Sequence, residues 1–180
     1  MDNLPSKIFL IGLPGSGKTT LGKELAKKLS LHFLDLDIEI EKQVQKSIQA
    51  IFKDHSEPYF RKLESRILKE LCSSDQQFVM ATGGGTPCFF ENMKVINEAG
   101  KSIFIDVATK EIAKRVKHSS LNKRPLFENL HQEELKDKIE FLRSQRMPFY
   151  QQAHVHLKGD KIHLQDLLFK LSQSEVNKTI

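Results

Sequence analysis

One motif constrains the fold of this chain more than any other feature of its sequence. The segment Gly12-Leu13-Pro14-Gly15-Ser16-Gly17-Lys18-Thr19 follows the spacing G-x-x-x-x-G-K-[ST]. It lies between an apolar run at residues 7–11 and a helical period at 18–29, which is the strand–loop–helix context of a phosphate-binding loop. Backbone N–H groups of such a loop surround an anion, and the start of the helix adds partial positive charge. The motif therefore predicts a nucleoside triphosphate ligand; a glycine-rich turn without a ligand is the weaker alternative.

The motif also assigns side-chain roles but does not choose between a kinase, a motor and a switch protein. Lys18 is expected to reach the β and γ phosphates, and the Thr19 hydroxyl to ligate Mg²⁺. A regulatory GTPase would need an Asp-x-x-Gly switch and an Asn-Lys-x-Asp base reader, and the chain has neither, since Asn122-Lys123 continues into Arg124-Pro125. We therefore expect a phosphotransferase with a second pocket for an acceptor hydroxyl.

The apolar pattern alternates between short runs and helical periods, which is typical of an α/β protein. Residues 1–180 are expected to form one domain with a single parallel sheet and helices on both sides. The segment 118–129 has no apolar period and is expected to be a mobile lid, while residues 173–180 are expected to fray. Strands are predicted at residues 7–11, 32–36, 78–82, 102–107 and 155–157, and helices at 18–29, 38–44, 58–71, 89–99, 110–117, 131–143 and 164–171.

Composition excludes several classes of protein. The chain has 180 residues, of which 39% are hydrophobic and 28% charged, so it is long enough to bury a core without disulfides. Its apolar runs are too short to span a membrane, and two cysteines suggest free thiols in a cytoplasmic protein. The net charge of +5 permits nucleic-acid binding, but no reader motif accompanies it. Only six of the 28 basic residues are arginines, so each arginine is a candidate for binding an anion.

Acidic and glycine residues that follow the second and third predicted strands are candidates for the acceptor side. Asp35 and Asp37 are expected to face one side of the strand end, one serving Mg²⁺ and the other a substrate hydroxyl; a pair of solvated acids is the alternative. Gly83, Gly84 and Gly85 would let a ligand lie against backbone N–H groups, although a plain tight turn is also possible.

Three arginines complete the candidate site. Arg61 lies three residues before Glu64 on a predicted helix, so the pair either orients a guanidinium toward a carboxylate or is an ordinary surface ion pair. Arg124, in the predicted lid, is a candidate for stabilising transferred phosphoryl charge. Arg146 precedes Met147-Pro148-Phe149-Tyr150. Taken singly, Arg124 and Arg146 are equally compatible with solvated cations.

Taken together and in order, these motifs resemble those of the shikimate kinases, which are P-loop enzymes related to the nucleoside monophosphate kinases. The resemblance covers residues 7–150 and includes the phosphate loop, Asp-x-Asp, Phe-Arg-x-x-Glu, the triple glycine, and Arg-Pro-Leu followed by Arg-x-Pro-x-Tyr. It implies ATP-dependent phosphorylation of the 3-hydroxyl of shikimate, in the chorismate and aromatic amino-acid pathway. It also implies a five-stranded parallel sheet of order 2-3-1-4-5, a monomeric cytoplasmic enzyme, and no nucleic-acid or membrane partner.

The resemblance implies a role for each matching residue. Catalysis would use Lys18, Asp37 and Arg124, with Asp37 binding the acceptor hydroxyl and Arg124 closing over ATP. Mg²⁺ would be held by Thr19 and supported by Asp35. The ATP phosphates would be bound by Gly15, Ser16, Gly17, Lys18, Thr19 and Thr20, and shikimate by Asp37, Arg61, Gly83, Gly84, Gly85 and Arg146, with Arg61 and Arg146 facing its carboxylate.

The sequence departs from the family pattern in places, and its motifs leave other functions open. Lys117 stands where many members carry an arginine thought to stack on adenine, and a lysine offers no flat surface. His154 and His156 are two residues apart, but without a third ligand they are expected to be structural. The alternative functions are a kinase of another small polyol acid such as gluconate, a nucleotide kinase, and a nucleotide-dependent binding protein without turnover.

Overall fold

A computed structural model describes residues 5–117 and 131–176. Its five strands form one parallel sheet in the order β2-β3-β1-β4-β5, which confirms the predicted topology. The strands are β1 (Lys7–Ile11), β2 (His32–Asp35), β3 (Phe78–Ala81), β4 (Lys101–Asp106) and β5 (Val155–Lys158).

Helices connect these strands along the chain, as a parallel sheet requires. They are α1 (Lys18–Leu29), α2 (Leu36–Val44), α3 (Ile48–Asp54), α4 (Glu57–Ser73), α5 (Asn92–Ala99), α6 (Thr109–Lys117), α7 (Gln132–Tyr150) and α8 (Leu164–Val176), and a 3₁₀ turn covers Thr86–Cys88. No helix within the two described ranges has the length and apolar character needed to cross a membrane.

The core lies around the central strands. Residues 8–11 of β1 are completely buried, and so are Phe78, Val79 and Met80 of β3. Strands buried in this way are covered on both faces of the sheet, which explains their continuously apolar sequences. In β5, at one edge, burial alternates instead. The central strands are thus held rigidly by packing, and the loops that follow them begin at fixed positions at the carboxyl edge of the sheet.

Several predicted boundaries were wrong. The chain bends into α2 at Leu36, so β2 ends at Asp35 and not at residue 36. The helix predicted from residue 89 begins only at Asn92, because Phe90 and Glu91 have positive φ angles of 49° and 57°. The sequence analysis also missed the short helix α3.

The helices α7 and α8 are longer than predicted. α7 continues to Tyr150 and contains Pro148 in its last turn. Tyr150 is fully buried, and its hydroxyl donates to the Gly84 carbonyl at 2.5 Å, so tertiary contacts hold a turn that proline alone would weaken. α8 reaches Val176, which places residues 173–176 of the expected frayed tail in a helix. The expected lid at 118–129 lies outside the described residues.

Candidate active site

The loop between β1 and α1 has the backbone that the glycine motif predicts. Gly12, Gly15 and Gly17 have φ angles of +142°, +82° and +98°, a region that favours glycine over residues with a Cβ. Space is a second constraint, because a Cβ on Gly12 would lie 2.7 Å from the carbonyl oxygen of Ile105. These glycines therefore let the loop curl tightly over the ends of β1 and β4.

Polar groups are buried inside this loop. Lys18 is 7% exposed, and its ammonium donates to the carbonyl oxygens of Gly12 and Leu13 at 3.0 and 2.9 Å. The Ser16 hydroxyl is buried and has no hydrogen-bond partner within the described part of the chain. Buried polar atoms are normally satisfied, so this hydroxyl is available to a ligand. The first turn of α1 carries no acidic residue that would weaken its attraction for an anion.

The two predicted aspartates lie close to the loop, but not as successive members of one strand face. Asp35 ends β2 and caps α2, where its carboxylate accepts from the Asp37 N–H at 3.2 Å. Asp37 belongs to the first turn of α2, so the prediction that both residues project from the strand was wrong. The Thr19 hydroxyl donates to Asp35 Oδ2 at 3.0 Å, which places a hydroxyl and a carboxylate together beside the phosphate loop.

A cavity of about 520 Å³ joins the loop to the aspartates. Its other walls come from the chain after β3, from α6, and from the segment before α8. Ten of the predicted site residues line it: Gly15, Ser16, Gly17, Lys18, Thr19, Thr20, Asp35, Asp37, Gly83 and Gly84.

Arg61 forms a buried ion pair rather than a surface one. Its Nη1 donates to Glu64 Oε2 at 2.8 Å, and its Nε and Nη2 donate to Glu57 Oε1 at 3.2 and 3.1 Å. The Arg61 side chain is 11% exposed and that of Glu64 is 1% exposed. Burial alone would lower the pKa of Arg61, but the Glu64 and Glu57 carboxylates raise it above its ordinary value. The guanidinium is therefore fixed and permanently charged.

The triple glycine is the meeting point of the candidate acceptor residues. A Cβ on Gly83 would lie 3.3 Å from Asp37 Oδ1, one on Gly84 2.9 Å from Arg146 Nη1, and one on Gly85 2.6 Å from Arg61 Nη2. None of these three glycines has a positive φ angle. The turn thus needs glycine because charged side chains crowd against it, a reason that neither sequence interpretation, a ligand against the backbone or a plain tight turn, had included.

Arg146 completes this group of charges. Its Nη1 is buried and has no hydrogen-bond partner among residues 5–117 and 131–176. Gly84 also approaches the phosphate loop, since a Cβ there would lie 2.6 Å from Pro14 Cδ. An unpaired cationic N–H beside bare backbone is a suitable binding site for an anionic group, and it lies one residue from the place where Gly85 meets Arg61.

Sequence reasoning missed several residues that build this site. Arg115 of α6 lines the cavity, and its Nη1 lies 3.5 and 3.4 Å from the carbonyl oxygens of Gly15 and Ser16, while its Nε donates to Glu111 at 3.0 Å. The scarcity of arginine in this chain, which made every arginine a candidate for binding an anion, was the only sequence signal for Arg115. Two residues that contact Arg61, Glu57 and Phe89, belong to no motif in the sequence. From sequence alone, Glu57 resembles any exposed glutamate and Phe89 any apolar residue.

His154, His156, Cys72 and Cys88 are not among the residues that line the described cavity. Arg124 lies outside the described residues. His154 Nδ1 accepts from the Ser102 N–H at 3.2 Å, and His156 Nε2 lies 3.1 Å from the Ala153 carbonyl oxygen, so each histidine has a structural contact. Cys72 and Cys88 are free, and burial raises the pKa of each thiol to about 11.

Comparisons with known proteins agree with this geometry. Residues 14–174 match the family model described as shikimate kinase. A shikimate kinase of Phocaeicola vulgatus is 42% identical over 157 residues, which span 87% of this chain and 89% of that protein. The structure of shikimate kinase from Acinetobacter baumannii in complex with shikimate superposes with a TM-score of 0.85 at 30% identity, covering 99% of this chain and 97% of that one.

A more distant structure shares the fold alone. A gluconokinase from Sinorhizobium meliloti superposes with a TM-score of 0.58 and 16% identity, over 96% of this chain and 94% of that one. The identity to this gluconokinase is far lower than the identity to the shikimate kinases. By its family match, its relatives and the motifs that build its cavity, the chain belongs to the shikimate kinase family.

Proposed function

We propose that this protein transfers the γ-phosphoryl group of ATP to the 3-hydroxyl of shikimate, giving shikimate 3-phosphate and ADP. One observation carries the proposal: two guanidinium groups, from Arg61 and Arg146, lie against successive glycines of a turn that also contacts the phosphate loop. Shikimate is an anionic triol, so its carboxylate requires such groups and its hydroxyls require short polar partners. Family membership supports the same assignment.

In this reaction, different residues of the chain bind ATP, bind the acceptor and accept the proton of the hydroxyl. Gly15 to Thr20 hold the ATP phosphates with backbone N–H groups, and Lys18 adds positive charge where negative charge develops during transfer. Arg61 and Arg146 bind the carboxylate and so aim the ring. Asp37 accepts a hydrogen bond from the 3-hydroxyl and receives its proton as the new P–O bond forms and the bond to ADP breaks. Arg124, from its place in the family motif, closes over ATP.

The residues beside the loop also fit Mg²⁺. This cation prefers oxygen ligands, and the Thr19 hydroxyl and the Asp35 carboxylate are paired at 3.0 Å next to the place where the phosphates bind. We assign Thr19 as a ligand and Asp35 as its support. When bound, Mg²⁺ supplies positive charge to the β and γ phosphates.

The family resemblance also implies a monomer in the cytoplasm, and we propose both for this chain. Light scattering during size-exclusion chromatography tests the first assignment. A mass near that of one 20.7 kDa chain is expected.

A panel of acceptors tests the proposed reaction. ADP release is followed by a coupled assay with shikimate, gluconate and AMP, and the phosphorylated product is identified by ³¹P and ¹H NMR. We expect turnover with shikimate and transfer to its 3-hydroxyl. Background ADP release with shikimate, under conditions in which calorimetry shows ATP binding, contradicts the proposal. Turnover with gluconate or AMP alone would assign one of the other kinase classes.

A further inference from the structure

Phe89 makes a contact that neither the phosphate loop nor the acceptor motifs account for. The centre of its ring lies 4.6 Å from Cζ of Arg61, and the ring of Phe60 lies 5.2 Å from the same atom. Both distances are within the range of a cation–π interaction. Phe60 precedes Arg61 on α4 and is 3% exposed, whereas Phe89 comes from a different part of the chain and is 36% exposed.

The segment that carries Phe89 is held by its own contacts. It follows the 3₁₀ turn, in which the Cys88 N–H donates to the Gly85 carbonyl at 2.9 Å. Asn92 is completely buried; its side chain donates to the Thr86 carbonyl and accepts from the Ser65 hydroxyl of α4. Two successive positive φ angles, at Phe90 and Glu91, reverse the chain immediately after the ring. The ring is thus placed by the turn and not by a flexible loop.

The contacts of Arg61 leave part of its guanidinium available. Its five N–H donors include three that bind Glu57 and Glu64, so one N–H on each Nη remains in the described part of the chain. Glu64 cannot turn away easily, because its other oxygen accepts from the Thr86 hydroxyl at 2.6 Å. Carboxylates fix a guanidinium by hydrogen bonds at its edge, and an aromatic ring contacts its face. The two kinds of contact restrict different motions of the group.

We infer that Phe89 is a positioning residue for substrate binding: its ring holds the Arg61 guanidinium in the orientation that receives the carboxylate of the acceptor. The inference rests on the proposed function for the identity of that acceptor. A group fixed before binding loses less freedom when the ligand arrives, so the contact favours affinity for the acceptor rather than the rate of transfer. It also links the turn after the triple glycine to α4.

Steady-state kinetics of three variants tests the inference. Phe89→Leu keeps an apolar side chain but removes the aromatic face, Phe89→Tyr keeps the face, and Phe90→Leu is the matched control because Phe90 is 48% exposed and has no ring contact among the described residues. Phe89→Leu is expected to raise KM for shikimate roughly two- to fivefold, with kcat and KM for ATP unchanged. Phe89→Tyr should restore the value, and Phe90→Leu should match the wild type.

A second readout does not depend on turnover. The ¹⁵N–¹H signal of Arg61 Nε, assigned with Arg61→Lys, is expected to shift and to show greater side-chain mobility in Phe89→Leu but not in Phe90→Leu. Equal KM values and equal Arg61 signals in the two leucine variants overturn the inference, as does a Phe89→Tyr variant as impaired as Phe89→Leu. If the wild type shows no activity on shikimate but the Arg61 signal still changes in Phe89→Leu, the result supports the contact and contradicts the proposed function instead.

Discussion

Lys18 combines burial with positive charge at the loop where phosphates are expected. Its ammonium is held inside the loop by two carbonyl oxygens, so it is placed before any ligand arrives. Charge placed in advance stabilises a transition state without further reorganisation. The residue is therefore expected to act on the rate of transfer more than on the binding of the acceptor.

Replacement of Lys18 tests this role. Lys18→Ala is expected to lower kcat on the order of 100-fold, by analogy with other removed transition-state donors, while KM for shikimate changes little. Lys28→Ala is the matched control, since Lys28 is an exposed lysine at the other end of the same helix. A Lys18→Ala enzyme with a near-normal kcat would refute the assignment.

Arg61 and Arg146 differ from Lys18 in the parameter they should change. In the proposed reaction each binds the carboxylate and not the reacting hydroxyl, so each alanine variant is expected to raise KM for shikimate with a smaller effect on kcat. The loss of a charged hydrogen bond is worth about 1.5–3 kcal/mol, or roughly a ten- to 150-fold change in affinity. Unchanged KM in both variants contradicts the carboxylate role.

Arg66, which lies on α4 with Arg61, provides the control for these arginines. Arg66 is 56% exposed and pairs with Glu70, so Arg66→Ala should leave both kinetic parameters unchanged. Arg61→Ala also leaves the buried Glu64 carboxylate without its cation, which destabilises the fold. Thermal unfolding of Arg61→Ala must therefore be measured beside its kinetics, whereas Arg146→Ala tests binding with less structural cost.

At the scale of elements, the triple-glycine turn joins the phosphate loop to the acceptor site. Gly84→Ala would bring a Cβ to within 2.6 Å of Pro14 and 2.9 Å of Arg146, so one of these must move. Overpacking of this kind costs about 1–3 kcal/mol of stability. We expect a lower midpoint of urea unfolding together with a raised KM for shikimate.

Gly159→Ala is the matched control for that variant. A Cβ on Gly159 would meet its nearest neighbour, the Lys161 carbonyl oxygen, at 3.5 Å, which is ordinary contact, and its φ angle is not positive. This substitution should leave stability and KM for shikimate close to the wild-type values. A Gly84→Ala protein that behaves like Gly159→Ala means that the turn adapts without moving Pro14 or Arg146.

The same elements show where sequence reasoning works and where it stops. The positions of the strands and the phosphate loop were predictable, because continuous apolar runs and glycine spacing are local signals with few structural solutions. The order of the strands in the sheet came from the family resemblance. The start of α5 was not predictable, since it is set by positive φ angles at Phe90 and Glu91, and neither residue type favours that region of backbone conformation. The end of α7 depends on burial of Tyr150, which is a tertiary contact.

The site was predictable to the extent that motifs report it. Aspartates and glycines at family positions identified groups that line the cavity, and Arg61 and Arg146 identified guanidinium groups that lie against the triple-glycine turn. Their supports come from residues without a motif, such as Glu57 and Phe89 on Arg61 and the Tyr150 hydroxyl on Gly84. Such partners are recognised only when the fold brings them together. The predicted placement of Asp37 failed for a related reason, because capping by Asp35 starts the helix one residue after the strand.

At the scale of the whole molecule, the parallel sheet brings every assigned group in the described residues to one edge. The loop after β1, the aspartates after β2 and the glycines after β3 all follow the carboxyl ends of neighbouring strands. In open α/β sheets ligands bind at this edge. Buried ionisable groups on this framework have pKa values that differ between the folded and unfolded states, so their protonation is coupled to folding.

Alkaline pH should reveal that coupling. Burial raises the pKa of the Cys72 and Cys88 thiols from an ordinary 9.0 to about 11, and it raises the pKa of Tyr150 above 10. As the pH rises above 9, the unfolded chain releases these protons before the folded protein does. The unfolded state then binds fewer protons than the native state, so the free energy of unfolding falls. For the thiols this loss is confined to the interval between pH 9 and about 11.

Urea unfolding at a series of pH values from 8 to 11 measures the effect. A variant with both Cys72→Ala and Cys88→Ala should lose less stability between pH 9 and 11 than the wild type, after each protein is compared with its own value at pH 8. Tyr150→Phe should instead flatten the fall that begins near pH 10, although it also removes the hydrogen bond to Gly84 at all pH values. Parallel stability curves for the wild type and the double-cysteine variant contradict thiol burial as a cause of alkaline unfolding.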